Sequence, residues 1–236
     1  YPIDENGKLY RPGENLDDIF SQTDNNWNAP TVSKFFHQQY SDYKQSKHYQ
    51  NTTYNPRCSD CHDSHADSND NPSLLKQPVN DNSLCLSCHQ NLDFPTEYSV
   101  QLHTQHPYDP EESGASRCVS CHMTKTGKLV KSGDTGGHSF KVVTPADSLS
   151  MLKSLAAAGE TDIEESDIIP SPCVQCHNLI QAQAIEEGES TNVLAGNPTS
   201  EDYLEKLYAA FTYKFEDAKD NKEYVSFSHT VISGWM

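Results

Sequence analysis

The chain has 236 residues, 34% of them hydrophobic, and a formal net charge of −17. That acidic balance argues against a basic nucleic-acid groove and against an anionic membrane face; it favours cationic partners, metal ions or mineral surfaces, or simply serves solubility. No run is apolar and long enough to span a bilayer, so no membrane insertion is expected, and the apolar fraction is lean for a core of this size.

The first 56 residues contain no cysteine. "DENGKL" at Asp4–Leu9 places Asn-Gly between short β-capable arms and predicts a hairpin. From Thr31 to Tyr49, "TVSKFFHQQYSDYKQSKHY" reads as one helix. Phe36, Tyr40 and Tyr43 recur at helical spacing, with Lys44, Lys47 and His48 toward its end. "NTT" at Asn51–Thr53 is an N-x-T sequon, as readily chance in a polar loop as a glycosylation site.

Four Cys-x-x-Cys-His motifs follow: Cys58–His62, Cys85–His89, Cys118–His122 and Cys173–His177. They use all eight cysteines: Cys58, Cys61, Cys85, Cys88, Cys118, Cys121, Cys173 and Cys176. This pattern is the attachment signature of c-type haem. Two thiols at that spacing each bond one vinyl group of a porphyrin, and the next side chain ligates its iron. Zinc ribbons and redox disulfides also use Cys-x-x-Cys, but neither requires the histidine. Four such placements by chance have odds on the order of one in 10⁵. Four covalently bound haems are expected, with His62, His89, His122 and His177 as proximal ligands.

The first three motifs start at 58, 85 and 118, and these gaps, rich in Asp, Asn, Ser and Pro, are too short to enclose separate domains. Their haems are expected to be close neighbours. Before the fourth motif a helix is predicted from Asp147, as N-cap, through Leu149, Leu152 and Leu155 to a stop at Gly159. A further helix is expected from Cys173 through "NLIQAQAIEE" to Gly188. Thr199 and Asp202 resemble a capping box for an amphipathic helix with Leu204, Leu207, Tyr208, Phe211 and Phe215 on its apolar face. Alternation at Val225, Phe227, His229 and Val231 predicts an extended tail, lying on its own domain or on a neighbour.

The expected fold is mostly coil with short α-helices wrapped around four covalently bound haems, and minor β in the hairpin and tail. A haem-free arm (1–56), a three-haem segment (57–145) and a fourth-haem segment with helix and tail (146–236) would form one continuous unit cored by cofactor.

Eleven histidines less the four in the motifs leave His37, His48, His65, His103, His106, His138 and His229 as candidates for the four second axial positions. Methionine is scarce, with three in the chain, so bis-histidine ligation and comparatively low potentials are expected. His65 sits too close to its own motif to reach the far face of that haem and is expected to serve an adjacent one. His103 and His106 would share a helical face, with one of them a ligand. His138 follows "GDTGG", a loop able to fold back over a haem.

Ser46-Lys47-His48, Cys58–His65, Leu84–His89, His103–His106, Cys118–Met123 and His138-Ser139-Phe140 occur in an order that resembles multihaem cytochrome c families, over roughly residues 46–177. In such families the extra histidines are commonly distal ligands. "SGDTGG" stands where a basic segment is usual, which implies a differently packed loop. The size, the four motifs and the haem-free arms look most like the OmcE-type extracellular cytochrome filaments. That resemblance implies a head-to-tail homopolymer in which one haem takes its distal histidine from the next subunit, with His37 and His229 as candidates for that ligand.

The expected function is electron transfer along stacked bis-histidine haems, with a filament subunit as the leading form. A soluble periplasmic shuttle and a multihaem reductase are the alternatives, the last opposed by the surplus of histidines and the absence of a changed proximal residue. Partners are expected to be further copies of the chain, redox proteins and extracellular acceptors. Covalent haem attachment, together with a start at Tyr1, leads us to expect a removed leader and a secreted, extracellular or periplasmic location.

Overall fold

The computed structural model describes residues 7, 11, 14–18, 26–28, 31–65, 71–90, 94–111, 114–130, 134–177 and 200–211. Within them the chain is mostly coil, with short helices and two small antiparallel sheets. The expected hairpin at Asp4–Leu9, the helix beyond His177 and the tail with His229 lie outside the described residues.

Strands β1 (Asn26–Asn28) and β2 (Thr31–Ser33) pair antiparallel, with Trp27 opposite Val32. Both side chains are buried, a cross-strand apolar pair. They pack with Val143 and Ile169, so the N-terminal arm shares a core with the chain around the fourth motif.

The single helix expected over Thr31–Tyr49 is instead a strand followed by two helices, α1 (Gln39–Gln45) and α2 (Lys47–Gln50). The break falls at Ser46, whose buried hydroxyl accepts from Tyr49 N at 3.1 Å and so caps α2. Serine makes this local bond in extended backbone, in competition with a continuing helix.

The motifs themselves form one-turn helices: α3 (Cys58–Cys61), α6 (Cys118–His122) and α8 (Pro172–Cys176), while α4 (Ser83–His89) is longer. Helix α5 (Glu97–Thr104) lies between the second and third motifs. Strands β3 (Lys125–Gly127) and β4 (Thr135–Gly136) form a hairpin directly after the third.

Helix α7 spans Pro145–Ala157 and stops before Gly159, which has φ +89°. Its N-cap is Thr144, with Asp147 at the third helical position, where its carboxylate accepts from Thr144 N at 2.7 Å. Proline at the first position explains the earlier start. Helix α9 covers Glu201–Phe211 and begins at Ser200, whose hydroxyl accepts from Tyr203 N at 3.4 Å. Leu149, Leu152, Ile168, Val174, Tyr203 and Leu204 form the other core, with Leu204 fully buried. Each large aliphatic side chain there contributes about 1.5–3 kcal/mol. Among the described residues no helix is long and apolar enough to cross a membrane.

Candidate haem-binding site

Each motif spans about one helical turn, which puts its second cysteine and its histidine on the same side as the first cysteine. The His62 amide donates to Cys58 O at 2.9 Å, and the His177 amide to Cys173 O at 2.8 Å. The seven described motif cysteines form no disulfide. After the first motif the chain doubles back. Asp63 N donates to Leu74 O at 2.8 Å and Lys76 N to Cys61 O at 2.9 Å. The returning loop brings Ser73 O to 2.9 Å from His62 Nδ1. After the third motif Phe140 O comes to 3.1 Å from His122 Nδ1. A carbonyl oxygen only accepts, so Nδ1 of both rings carries a proton, and in the neutral ring Nε2 keeps its lone pair. That is the tautomer a metal-ligating imidazole requires.

Three motif histidines face a second histidine. His62 lies 6.3 Å from His138, centre to centre, with planes 28° apart. His89 lies 6.1 Å from His48 at 66°, and His122 lies 5.9 Å from His103 at 8°. An iron–nitrogen bond of about 2 Å, plus roughly 1.2 Å from nitrogen to ring centre, would hold two axial imidazoles about 6.4 Å apart. All three separations fit an iron between the rings. Groups of three or more His, Cys, Asp or Glu able to hold a metal ion are absent among the described residues. Pairs suffice for haem, because the porphyrin supplies the other four nitrogens.

Burial lowers the pKa of His48, helped by His89 and His122. It also lowers that of His138, where Asp42 opposes the shift and His62 adds to it. Both rings therefore favour the neutral form, whose lone pair is free for a metal.

The motifs are also tied to one another. Cys85 and Cys118 lie near enough to influence one another: with burial this raises the Cys85 pKa, while Cys118 is lowered by the same neighbour. Cys61, pushed up mainly by burial and Asp60, also feels Cys88. Asn82, fully buried in a left-handed conformation with φ 66°, clamps the second motif to the third. Its amide donates to Ser116 O at 2.9 Å and accepts from Cys118 N at 2.8 Å. Gln175 Nε2 donates to Lys125 O at 3.2 Å, joining the fourth motif to β3.

His138 is delivered by the β3–β4 hairpin and held by α1. The fully buried Asp42 accepts from Ser33 N at 2.8 Å, Ser33 Oγ at 2.6 Å and His138 N at 3.0 Å. A Cβ on Gly137 would stand 3.0 Å from Asp42 Oδ2, so glycine permits this close approach. The sequence reading missed both Asp42 and Asn82. A lone acid among aromatics in an amphipathic segment, and paired glycines before a histidine, are the signals that could have found Asp42.

The remaining candidates are placed differently. His103 sits in the last turn of α5, but Gln105 turns left-handed (φ 57°) and takes His106 off that helix, so they share no helical face. His106 Nδ1 meets Thr104 O at 2.7 Å, which again leaves Nε2 its lone pair. His65 is exposed and touches no other histidine ring among the described residues. His37 is exposed beside Phe36, with rings 5.2 Å apart. His177 is half-buried; nothing is described of the Cys176 side chain.

Residues 52–94, which hold the first two motifs, match a family model described as the doubled CXXCH motif. No curated protein and no solved structure matches the chain. CXXCH motifs imply covalently bound c-type haem, and multihaem proteins of this kind generally transfer electrons. The paired motif, joined to histidine pairs at iron-spanning distance, indicates a multihaem c-type cytochrome.

Proposed function

We propose that this protein is a tetrahaem cytochrome that passes electrons between neighbouring six-coordinate haems. The observation that carries this reading is the set of three imidazole pairs at iron-spanning distance. Cys58, Cys61 and His62 hold the first haem, with His138 on its far side. Cys85, Cys88 and His89 hold the second, with His48. Cys118, Cys121 and His122 hold the third, with His103. Cys173, Cys176 and His177 hold the fourth, whose second ligand comes from His37, His65, His106 or His229.

Bound haem supplies one-electron iron chemistry. The protein's part is to fix and enclose it. Histidine on both faces closes the iron to substrate and keeps the potential low, which disfavours a reductase. The Asn82 clamp brings together the motifs that would carry the second and third haems, which favours short electron steps between them.

In its finer form the reading is a secreted protein that repeats head to tail in an extracellular filament and hands electrons to redox partners or external acceptors. The order of the histidines and motifs supports it. So does exposed His37, next to exposed Phe36 and to a hairpin tip bearing Leu129 and Val130, 58% and 82% exposed. A net charge of −17 suits cationic or mineral acceptors.

The test begins with haem content and electron paramagnetic resonance of the oxidised protein. Four low-spin ferric haems per chain are expected, and a stoichiometric high-spin signal would overturn the electron-carrier reading. Electron microscopy of secreted material should show filaments, and His37→Ala or His229→Ala should abolish them. Dispersed particles at high concentration would leave a soluble periplasmic carrier instead.

A further inference from the structure

Phe140 ligates nothing, yet its backbone holds a left-handed conformation, φ 54°, that residues with a Cβ rarely adopt. The other non-glycine residues with positive φ among those described are Ser73, Leu74, Asn82 and Gln105. Ser73 supplies the carbonyl for His62, Asn82 clamps two motifs, and Gln105 separates His103 from His106. Such strain persists where the surrounding structure insists on it.

Phe140 reaches three of the histidines. Its ring meets His48 edge-on, 4.4 Å between centres and 84° between planes. It lies 6.3 Å from the ring of His138. Its carbonyl accepts from His122 Nδ1 at 3.1 Å. These histidines belong to three different pairs.

We propose that Phe140 is a positioning residue shared by two haem sites: its ring holds the His48 plane turned from His89, and its carbonyl fixes the tautomer of His122. The proposal rests on the axial pairing given above. An axial imidazole turns about its iron–nitrogen bond at little cost, so its plane is set by what its other atoms touch. The His122 ring is fixed by a hydrogen bond. The His48 ring makes no hydrogen bond among the described residues and is fixed by packing, with Phe140 at 4.4 Å.

The plane angle has a spectroscopic consequence. Parallel axial rings act on the same iron d orbital and split it from its partner, which gives a rhombic low-spin signal. Rings turned strongly apart leave the two orbitals nearly equal and give a highly anisotropic signal. His103 and His122, 8° apart, should give the first kind, and His48 and His89, 66° apart, the second.

The experiment is electron paramagnetic resonance on the oxidised, fully haem-loaded protein carrying Phe140→Gly, Phe140→Leu or Phe140→Tyr. Glycine and leucine keep the carbonyl but remove the ring; tyrosine keeps both. The expected result is loss of the anisotropic signal in the glycine and leucine variants, with the rhombic signal of the third haem retained and the tyrosine variant like the parent. An unchanged anisotropic signal in either ring-less variant overturns the proposal. If both ring-less variants fail to load haem while tyrosine loads it, Phe140 has a general folding role, which also overturns it. The parent protein tests the pairing by itself, because more than one high-spin haem per chain there refutes the three axial pairs whatever Phe140 does.

Discussion

The buried carboxylate of Asp42 accepts the backbone N–H of His138 at 3.0 Å, across a sequence separation of 96 residues. It thereby anchors the loop that sets His138 opposite His62, and two bonds from Ser33 hold the carboxylate itself. Asp42→Ala leaves three donors without their acceptor, at about 1–3 kcal/mol each when buried. The expected result is lowered stability and the appearance of high-spin signal from one haem. Asp42→Asn, which keeps an accepting oxygen, should restore part of both. Gly137→Ala should act like Asp42→Ala, because the new methyl group stands against the same oxygen.

Replacing distal ligands tests the pairing directly. His48→Ala, His103→Ala and His138→Ala should each convert one haem, and a different one each time, to high spin. Methionine at the same positions should instead raise the potential of that haem, as Met/His ligation does. Redox titration followed by optical spectroscopy reads both changes. If one of these alanine variants keeps every haem low-spin, its pair is wrongly assigned.

Asn82 offers a test of haem spacing. Asn82→Ala unpairs Cys118 N and Ser116 O, at about 1–3 kcal/mol each. Denaturant unfolding of the holoprotein should register that loss. The clamp also sets how the second and third motifs sit, so the Soret circular-dichroism couplet between neighbouring haems should weaken. Stability loss with an unchanged couplet would limit Asn82 to folding.

The packing of the fourth-motif region can be measured without reference to electron transfer. Leu204 is fully buried against α7 and Val174, and Leu204→Ala should cost about 2–5 kcal/mol. Lys153 bonds Glu201 and Glu205 at 3.3 and 2.9 Å on the exposed side of the same contact. Lys153→Ala should change stability by no more than about 1 kcal/mol, since exposed pairs are screened.

Helix α7 was legible because its signals are local, an apolar repeat and a glycine stop, although its N-cap is Thr144 and Asp147 stands at the third helical position. The segment 31–49 was not, because Ser46 caps a new turn and β2 pairs with β1, and neither follows from apolar periodicity alone. His65 shows the same limit. Its nearness to the first motif suggests a ligand lent to a neighbouring haem; His138, His48 and His103 face three motif histidines, which leaves the fourth haem as the one His65 could serve.

The sequence by itself determined the attachment chemistry. A thiol, a second thiol three residues on and an imidazole next to it need one helical turn, so their meaning survives without a fold. It also bounded the second ligands to seven histidines. Only the tertiary structure decided which of them face a motif, because each pair joins residues far apart in the chain and depends on main-chain bonds such as those to Asp42 and Asn82. The role of Phe140 belongs to the same class. Its contacts with three histidines exist only once β3, β4 and the motif turns have come together.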